Sequence, residues 1–232
     1  MPAIDEARVR RVGVAWAIAL AVVFAALASA VNAGSLHLSD QVLLTVAQAP
    51  GGTVLDWTMA LVSALGMVEV TGVLVLVLAV TARSARPLGW RRWVPAGVFI
   101  AVVLLEIAGK AVIHQPAPPA YLLRGPRLPG LSATTAYSFP SGHMVRITLV
   151  FGLAALRLAR HTRQMRWLTA CIAAVWLVGF SRVYLGEHWP ADVAGGILLG
   201  GVGIALCLAI SPRGSVGDLA PSGPGPGATA RP

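Results

Sequence analysis

A chain of 232 residues with 56% hydrophobic and only 12% charged side chains, at a mean hydropathy of +0.75, falls far short of the roughly 25% charged residues of soluble domains. A water-soluble enzyme and a disordered protein are excluded, and the length is better counted in membrane spans of about 20 residues each. The net charge of +9, from 18 Lys+Arg against 9 Asp+Glu, would suggest nucleic acid in a soluble protein; here it reports orientation, and no nucleic-acid partner is expected.

Six apolar runs follow one another, over residues 12–31, 57–82, 93–113, 144–158, 167–184 and 191–210. They predict an all-α membrane bundle of six transmembrane helices, because a segment crossing hydrocarbon must pair every backbone N–H and C=O internally. The first run follows Arg8, Arg10 and Arg11, and Ala28-Ser29-Ala30 resembles a signal cleavage site. Its roughly 20 apolar residues exceed the 7 to 15 of a signal core, which favours a retained span. Residues 36–48 have helical apolar spacing but are too short to span, so they are expected to lie along the interface. The loop over residues 114–141 is long and Pro-rich, the kind that often carries function. The fourth run reaches spanning length once Gly142 and His143 are added. The tail, residues 211–232, holds five Pro and five Gly and is expected to be disordered.

Orientation follows from the arginines. Arg8, Arg10 and Arg11 precede the first span, Arg83, Arg86, Arg91 and Arg92 join the second and third, Arg157, Arg160, Arg163 and Arg166 join the fourth and fifth, and Arg213 and Arg231 end the chain. The positive-inside rule makes that side cytoplasmic, with both termini inside. The expected organisation is a cytoplasmic N-terminus (1–11), a six-span domain (12–210) whose catalytic half covers about residues 106–196, and the cytoplasmic tail (211–232). Lys110, Arg124, Arg127, Arg146 and Arg182 fall toward the opposite side, where basic residues should be scarce.

Topology therefore gathers polar groups at the outer ends of the later spans: Lys110, the run Ser138-Phe139-Pro140-Ser141-Gly142-His143, and Ser181-Arg182 followed by His188 and Asp192. Each has a use if the ligand is a phosphate. Ser141 can cap a helix whose free N–H groups face the anion, and Gly142 permits close approach of backbone. His188 and Asp192 are four apart, on one helical face, with Pro190 suited to the first turn. A carboxylate so placed holds the imidazole in the tautomer whose other nitrogen attacks, making His188 the candidate nucleophile. His143 would donate a proton to the departing oxygen. Lys110 and Arg182 would bind the non-bridging oxygens and counter the charge of the transition state.

These spacings resemble the type-2 phosphatidic acid phosphatase family, related to the vanadium haloperoxidases, with its signatures Lys-x6-Arg-Pro, Pro-Ser-Gly-His and Ser-Arg-x5-His-x3-Asp. The second reads Pro140-Ser141-Gly142-His143, and the third runs from Ser181-Arg182 through His188 to Asp192. The resemblance implies hydrolysis of a lipid phosphomonoester or diphosphate, such as a polyprenyl diphosphate, phosphatidic acid or phosphatidylglycerol phosphate. The route implied is a phosphohistidine on His188 with His143 as acid, needing no metal and no cofactor, and the partners are the lipid phosphate and the membrane lipids.

The first signature departs from the pattern, because Ala117 stands where the family has Arg, although Pro118 is kept. A methyl group cannot make the paired hydrogen bonds of a guanidinium. Arg146, three residues after His143 and so on nearly the same face, is expected to supply the missing charge, with Arg124 and Arg127 as rivals. A relative that only binds or senses lipid phosphates is the alternative. A small transporter has weaker support, since no inverted repeat or broken helix pair is visible.

The other polar residues take plainer readings. Glu106 is expected to orient Lys110 as an i, i+4 pair. Glu69 either pairs with a site arginine or stabilises packing, and Glu187 is expected to face water. His37, His114 and His161 read as interface residues, Trp57, Trp90, Trp93, Trp167 and Trp189 as interfacial belts, and Cys171 and Cys207 as small core residues.

Overall fold

The computed structural model describes residues 5–82, 89–126, 137–162 and 165–211. Arg83, Arg86, Arg127, Arg163, Arg213 and Arg231, part of the Pro-rich loop and the tail from residue 212 lie outside the described residues.

The helices run in chain order as α1 (Glu6–Asn32), α2 (His37–Gln48), α3 (Thr53–Ser63), α4 (Val68–Val80), α5 (Val94–Val112), α6 (Gly142–Thr162), α7 (Met165–Tyr184) and α8 (Pro190–Ile210), with short 3-10 turns before α4, before α5 and at Ala120–Leu122. The fold is all-α; no strand forms among the described residues beyond an isolated bridge between Pro116 and Tyr137. Local chemistry sets the helix starts. Asp5 accepts the N–H groups of Ala7 and Arg8 at 3.0 and 3.2 Å, satisfying donors that the first turn leaves open. Proline stands in the first turn of α5 and of α8, where its missing N–H costs nothing.

The bundle is a multi-pass membrane fold, and its spans differ from expectation in two places. Among the described residues, four helices, α1, α5 with its preceding turn, α7 and α8, are long and apolar enough to cross a membrane, and a fifth span is made if the bent pair α3–α4 is counted as one. The predicted second span is therefore not one rod: it breaks at Ala64–Gly66 and bends by 45°. The predicted fourth span is α6, which carries Arg146 and Arg157 and is not among those four. Its place explains its composition. α6 is packed against α4, α5, α7 and α8, and Met144, Val145, Ile147 and Leu149 are fully buried. A helix shielded by neighbouring helices need not be apolar all round.

Close backbone contact holds the layers together. Gly13 of α1 lies against α8, where a Cβ would come within 2.8 Å of the Ala209 nitrogen, and Gly196 and Gly200 of α8 lie against α6, where a Cβ would come within 2.6 Å of the Ser141 carbonyl and 2.7 Å of that of Val145. Small residues of this kind let membrane helices approach closely. Val98, Val102, Val145, Leu149 and Leu199 fill the centre, and Leu44, Met144, Ile147, Val178 and Trp189 fill the end nearer the polar cluster.

One further expectation changes. Trp189 is no belt residue: it is buried, and its indole N–H donates to the Pro116 carbonyl at 2.8 Å. Trp57, Trp90, Trp93 and Trp167 are exposed, as interfacial belts require. Cys171 and Cys207 are buried, as expected of small core residues, and neither forms a disulfide among the described residues.

Candidate active site

The end of α5, the start of α6, the end of α7 and the start of α8 meet at one end of the bundle. Ser141 donates its backbone N–H to the Asp192 carbonyl at 3.0 Å, so the segments holding His143 and His188 are joined directly. Ser141 occupies the N-cap position of α6, its carbonyl accepting from the Val145 N–H at 3.0 Å. Its hydroxyl, however, is buried and makes no hydrogen bond among the described residues. The Phe139–Pro140 bond leading into this cap is cis.

The turn between α7 and α8 is closed by the Arg182 carbonyl, which accepts the N–H groups of Glu187 and His188 at 3.1 and 3.2 Å. Gly186 within it has φ +69°, a conformation glycine adopts without strain. His188 is 7% exposed and Asp192 wholly buried. Asp192 Oδ2 lies 3.2 Å from His188 Nδ1 and also accepts the Trp189 backbone N–H at 2.9 Å. With Nδ1 committed to the carboxylate, Nε2 is the ring atom left for a ligand. Burial, and then the Arg182 guanidinium, push the His188 imidazole well below the usual histidine range, which favours its neutral form.

Glu106 organises the cations. Its Oε1 lies 3.1 Å from Lys110 Nζ and its Oε2 lies 2.9 Å from Arg146 Nη1, so it orients the lysine as expected and holds the arginine as well. Arg146 also donates from Nε to the Gly66 carbonyl at 3.3 Å, and it lies within electrostatic reach of His143 and Arg182. A Cβ at Gly142 would overlap the Glu106 carboxylate, so the start of α6 sits directly on this ion cluster. Gly66 packs against the His143 side chain, where a Cβ would come within 2.9 Å. The break between α3 and α4 therefore makes room for one histidine and supplies an acceptor to Arg146.

Arg182 is held by Ser63, which accepts from Nη1 at 2.7 Å, and by an ion pair with Glu187. Glu187 does not simply face water, as expected from its place in a short turn; the arginine beside it captures it. Arg182 Nε is buried without a partner among the described residues. The rival Arg124 is engaged elsewhere, 3.9 Å from Asp56 and stacked over the Tyr184 ring. Ala117 follows Pro116, the residue that receives the Trp189 indole, so the position that lacks its arginine lies close to the His188 turn. Glu69 is exposed and in electrostatic reach of Arg146. His37 lies edge-on to Trp189, and His114 to Tyr137.

The structure thus brings Lys110, Ser141, Gly142, His143, Arg146, Arg182, His188 and Asp192 into one cluster. Sequence reasoning missed Ser63, the second partner of Glu106 and the role of Asp40. Asp40 is buried, and burial raises its carboxyl above the usual range, opposed first by the Ala191 N–H it accepts. A charged residue at an interior position of a short interfacial helix was the signal available for it. Among the described residues, no three His, Cys, Asp or Glu side chains are grouped as a metal ion would require.

With this geometry in place, comparison with known proteins is informative. A family model described as the PAP2 superfamily matches residues 91–214. An undecaprenyl-diphosphatase of Sulfolobus acidocaldarius is 41% identical over 106 residues, covering 44% of this chain and 45% of that protein. Phosphatidylglycerophosphatase B of Bacillus subtilis is 42% identical over 72 residues, covering 28% and 35%. The chain thus matches less than half the length of either relative. Over a longer stretch, the crystal structure of a transmembrane PAP2 type phosphatidylglycerolphosphate phosphatase from Bacillus subtilis superposes with a TM-score of 0.69 at 25% identity, covering 82% of this chain and 93% of that one.

Proposed function

The chain belongs to the PAP2 superfamily, and from that premise we propose that it hydrolyses a lipid phosphomonoester or diphosphate through a phosphohistidine on His188. The observation that carries this reading is the His188–Asp192 pair. The carboxylate engages Nδ1 at 3.2 Å, the imidazole is held neutral, and Nε2 is left for a ligand within electrostatic reach of Arg182 and Lys110. Relatives named as phosphatases of undecaprenyl diphosphate and of phosphatidylglycerophosphate support the substrate class. Polyprenyl diphosphate, phosphatidic acid and phosphatidylglycerol phosphate all present the required group.

In the first step His188 Nε2 attacks phosphorus, the bond to the leaving oxygen breaks, and His143 delivers the proton that this oxygen needs. Water then attacks the phosphohistidine with His143 as base, releasing phosphate and restoring the imidazole. Lys110, Arg146 and Arg182 stabilise the non-bridging oxygens, together with the Ser141 hydroxyl and the backbone N–H groups at the start of α6. The buried Ser141 hydroxyl and Arg182 Nε would find their hydrogen bonds in the phosphate. No metal takes part in this scheme.

Among the described residues, Arg8, Arg10 and Arg11 lie in the first turns of α1, Arg91 and Arg92 just before α5, and Arg157 and Arg166 toward the α6–α7 junction, at helix ends away from those that bear Lys110, His143 and His188. By the positive-inside rule the cleft then opens on the extracytoplasmic side, near the lipid headgroups. The Ala117 departure supports a second reading, a relative that binds lipid phosphates without hydrolysing them.

Purified protein in excess chelator, given each of the three lipid phosphates, separates the two. Phosphate release that is lost in His188→Ala is expected. No release from any of them, with binding retained, would favour the second reading.

A further inference from the structure

The short helix α2 buries Asp40, Leu44 and Gln48, one residue per turn along a single stripe, while exposing Leu38, Val42, Leu43 and Val46. Two of the three inward residues are thus polar. Asp40, only 3% exposed, must be hydrogen-bonded to be tolerated there. Its Oδ1 accepts the Ala191 backbone N–H at 2.9 Å, and its Oδ2 accepts Gln115 Nε2 at 3.2 Å. Ala191 immediately precedes Asp192, and its N–H is one of the donors that the first turn of α8 cannot satisfy internally.

Gln48, at the other end of the stripe, donates from Nε2 to the Tyr184 carbonyl at 2.9 Å and the Leu122 carbonyl at 2.7 Å. α2 therefore grips both flanks of the turn that bears His188, behind it at Tyr184 and ahead of it at Ala191. The Gln115 carbonyl in turn accepts the Ser138 N–H at 2.9 Å, so the same carboxylate is tied to the segment that enters α6.

We infer that Asp40 is a positioning residue: from outside the reacting group it fixes the first turn of α8, and with it the direction in which Asp192 presents His188. The inference rests on the reading of His188 as nucleophile. A displacement of about 1 Å at a reacting group can cost on the order of a hundredfold in rate, so a geometric role predicts a loss in turnover and little change in substrate binding.

Asp40→Ala and Asp40→Asn separate geometry from bulk stability. Asparagine keeps an oxygen for the Ala191 N–H. Its amide can donate to Gln115 Oε1, a buried acceptor without a partner among the described residues, once the Gln115 amide turns over. The expected result is that Asp40→Ala loses about a hundredfold in kcat with KM within about twofold, while Asp40→Asn stays within about threefold of the unaltered protein in both. Hydrogen exchange over residues 184–193 is expected to quicken in Asp40→Ala alone, with α1 and α6 unchanged.

Native kcat together with native exchange in Asp40→Ala would overturn the inference, as would a folded Asp40→Asn that loses kcat. Should the alanine variant fail to fold, the asparagine variant decides alone. Should the unaltered protein hydrolyse no lipid phosphate, the phosphatase reading fails, and the exchange comparison still decides whether Asp40 holds the turn.

Discussion

Glu106 holds Lys110 and Arg146 at once, and this sharing bears on the family arginine that Ala117 replaces. A carboxylate between two cations leaves one net positive charge, delivered beside the start of α6 by side chains that are already oriented. If Arg146 supplies the missing guanidinium, Arg146→Ala should lower kcat/KM by about a hundredfold or more, the size of effect seen when one donor to a developing charge is removed. Placing Ala117→Arg in that background should recover at least about tenfold of it. Steady-state kinetics on the single and double variants check this, and an Ala117→Arg change that rescues nothing would return Arg146 to a purely structural role. The state of His188 gives a second expectation. Its pKa lies well below the ordinary value of about 6.5, so the folded protein keeps this ring neutral as pH falls through that value, and the acid limb of kcat/KM should lie lower. Glu187 opposes that depression; Glu187→Gln should therefore move the acid limb further down, and an upward movement in the measured profile would contradict the assignment.

Short elements with local signatures could be read from the sequence, whereas their long-range partners could not. Pro140 to His143 and Ser181 to Asp192 announce themselves because N-capping, the i, i+4 relation and proline in a first helical turn are all set within a few residues. The cap was legible at Ser141, yet not that its hydroxyl would be left without a partner among the described residues. Ser63 on Arg182 and Asp40 on Ala191 lie 119 and 151 positions apart in sequence, and no local pattern encodes such pairs. The break at Ala64–Gly66 escaped because residues 57–82 are predominantly apolar, and hydropathy does not register a bend; Gly66 was a weak local sign of it. The seating of α6 on α8 leads to a further expectation. At Gly196 an added Cβ would meet the Ser141 carbonyl at 2.6 Å, and that carbonyl is fixed as a helix acceptor. Gly196→Ala should therefore cost about 1–3 kcal/mol, the usual penalty of overpacking, measured as a lowered thermal midpoint, and should reduce activity by shifting His143 relative to His188. An unchanged midpoint would show that α6 can yield.

The bundle solves one problem as a unit: it carries several charged side chains at the end of an apolar body. Hydropathy revealed α1, α5, α7 and α8 as long and apolar enough to span, because a segment that crosses hydrocarbon needs a continuous apolar run. It was a poor guide to α6, whose surroundings are protein, and among the described residues the six expected spans correspond to four apolar helices, a bent pair and an enclosed helix that bears Arg146. The multi-pass character, the all-α class and the family all follow from what was legible; the enclosure of α6 did not, since which helices cover it is set by packing between distant segments. The enclosed helix is also what allows two histidines from distant parts of the chain to share one pocket with three cations. The central claim is that His188 becomes covalently phosphorylated in that pocket, and rapid acid-free quenching of turnover with labelled lipid phosphate, followed by peptide mapping, tests it most directly. Acid-labile phosphate on His188, absent in His188→Ala and retained when His143→Ala slows its release, is the predicted result; turnover at the normal rate with no phosphate on His188 at any time would contradict it.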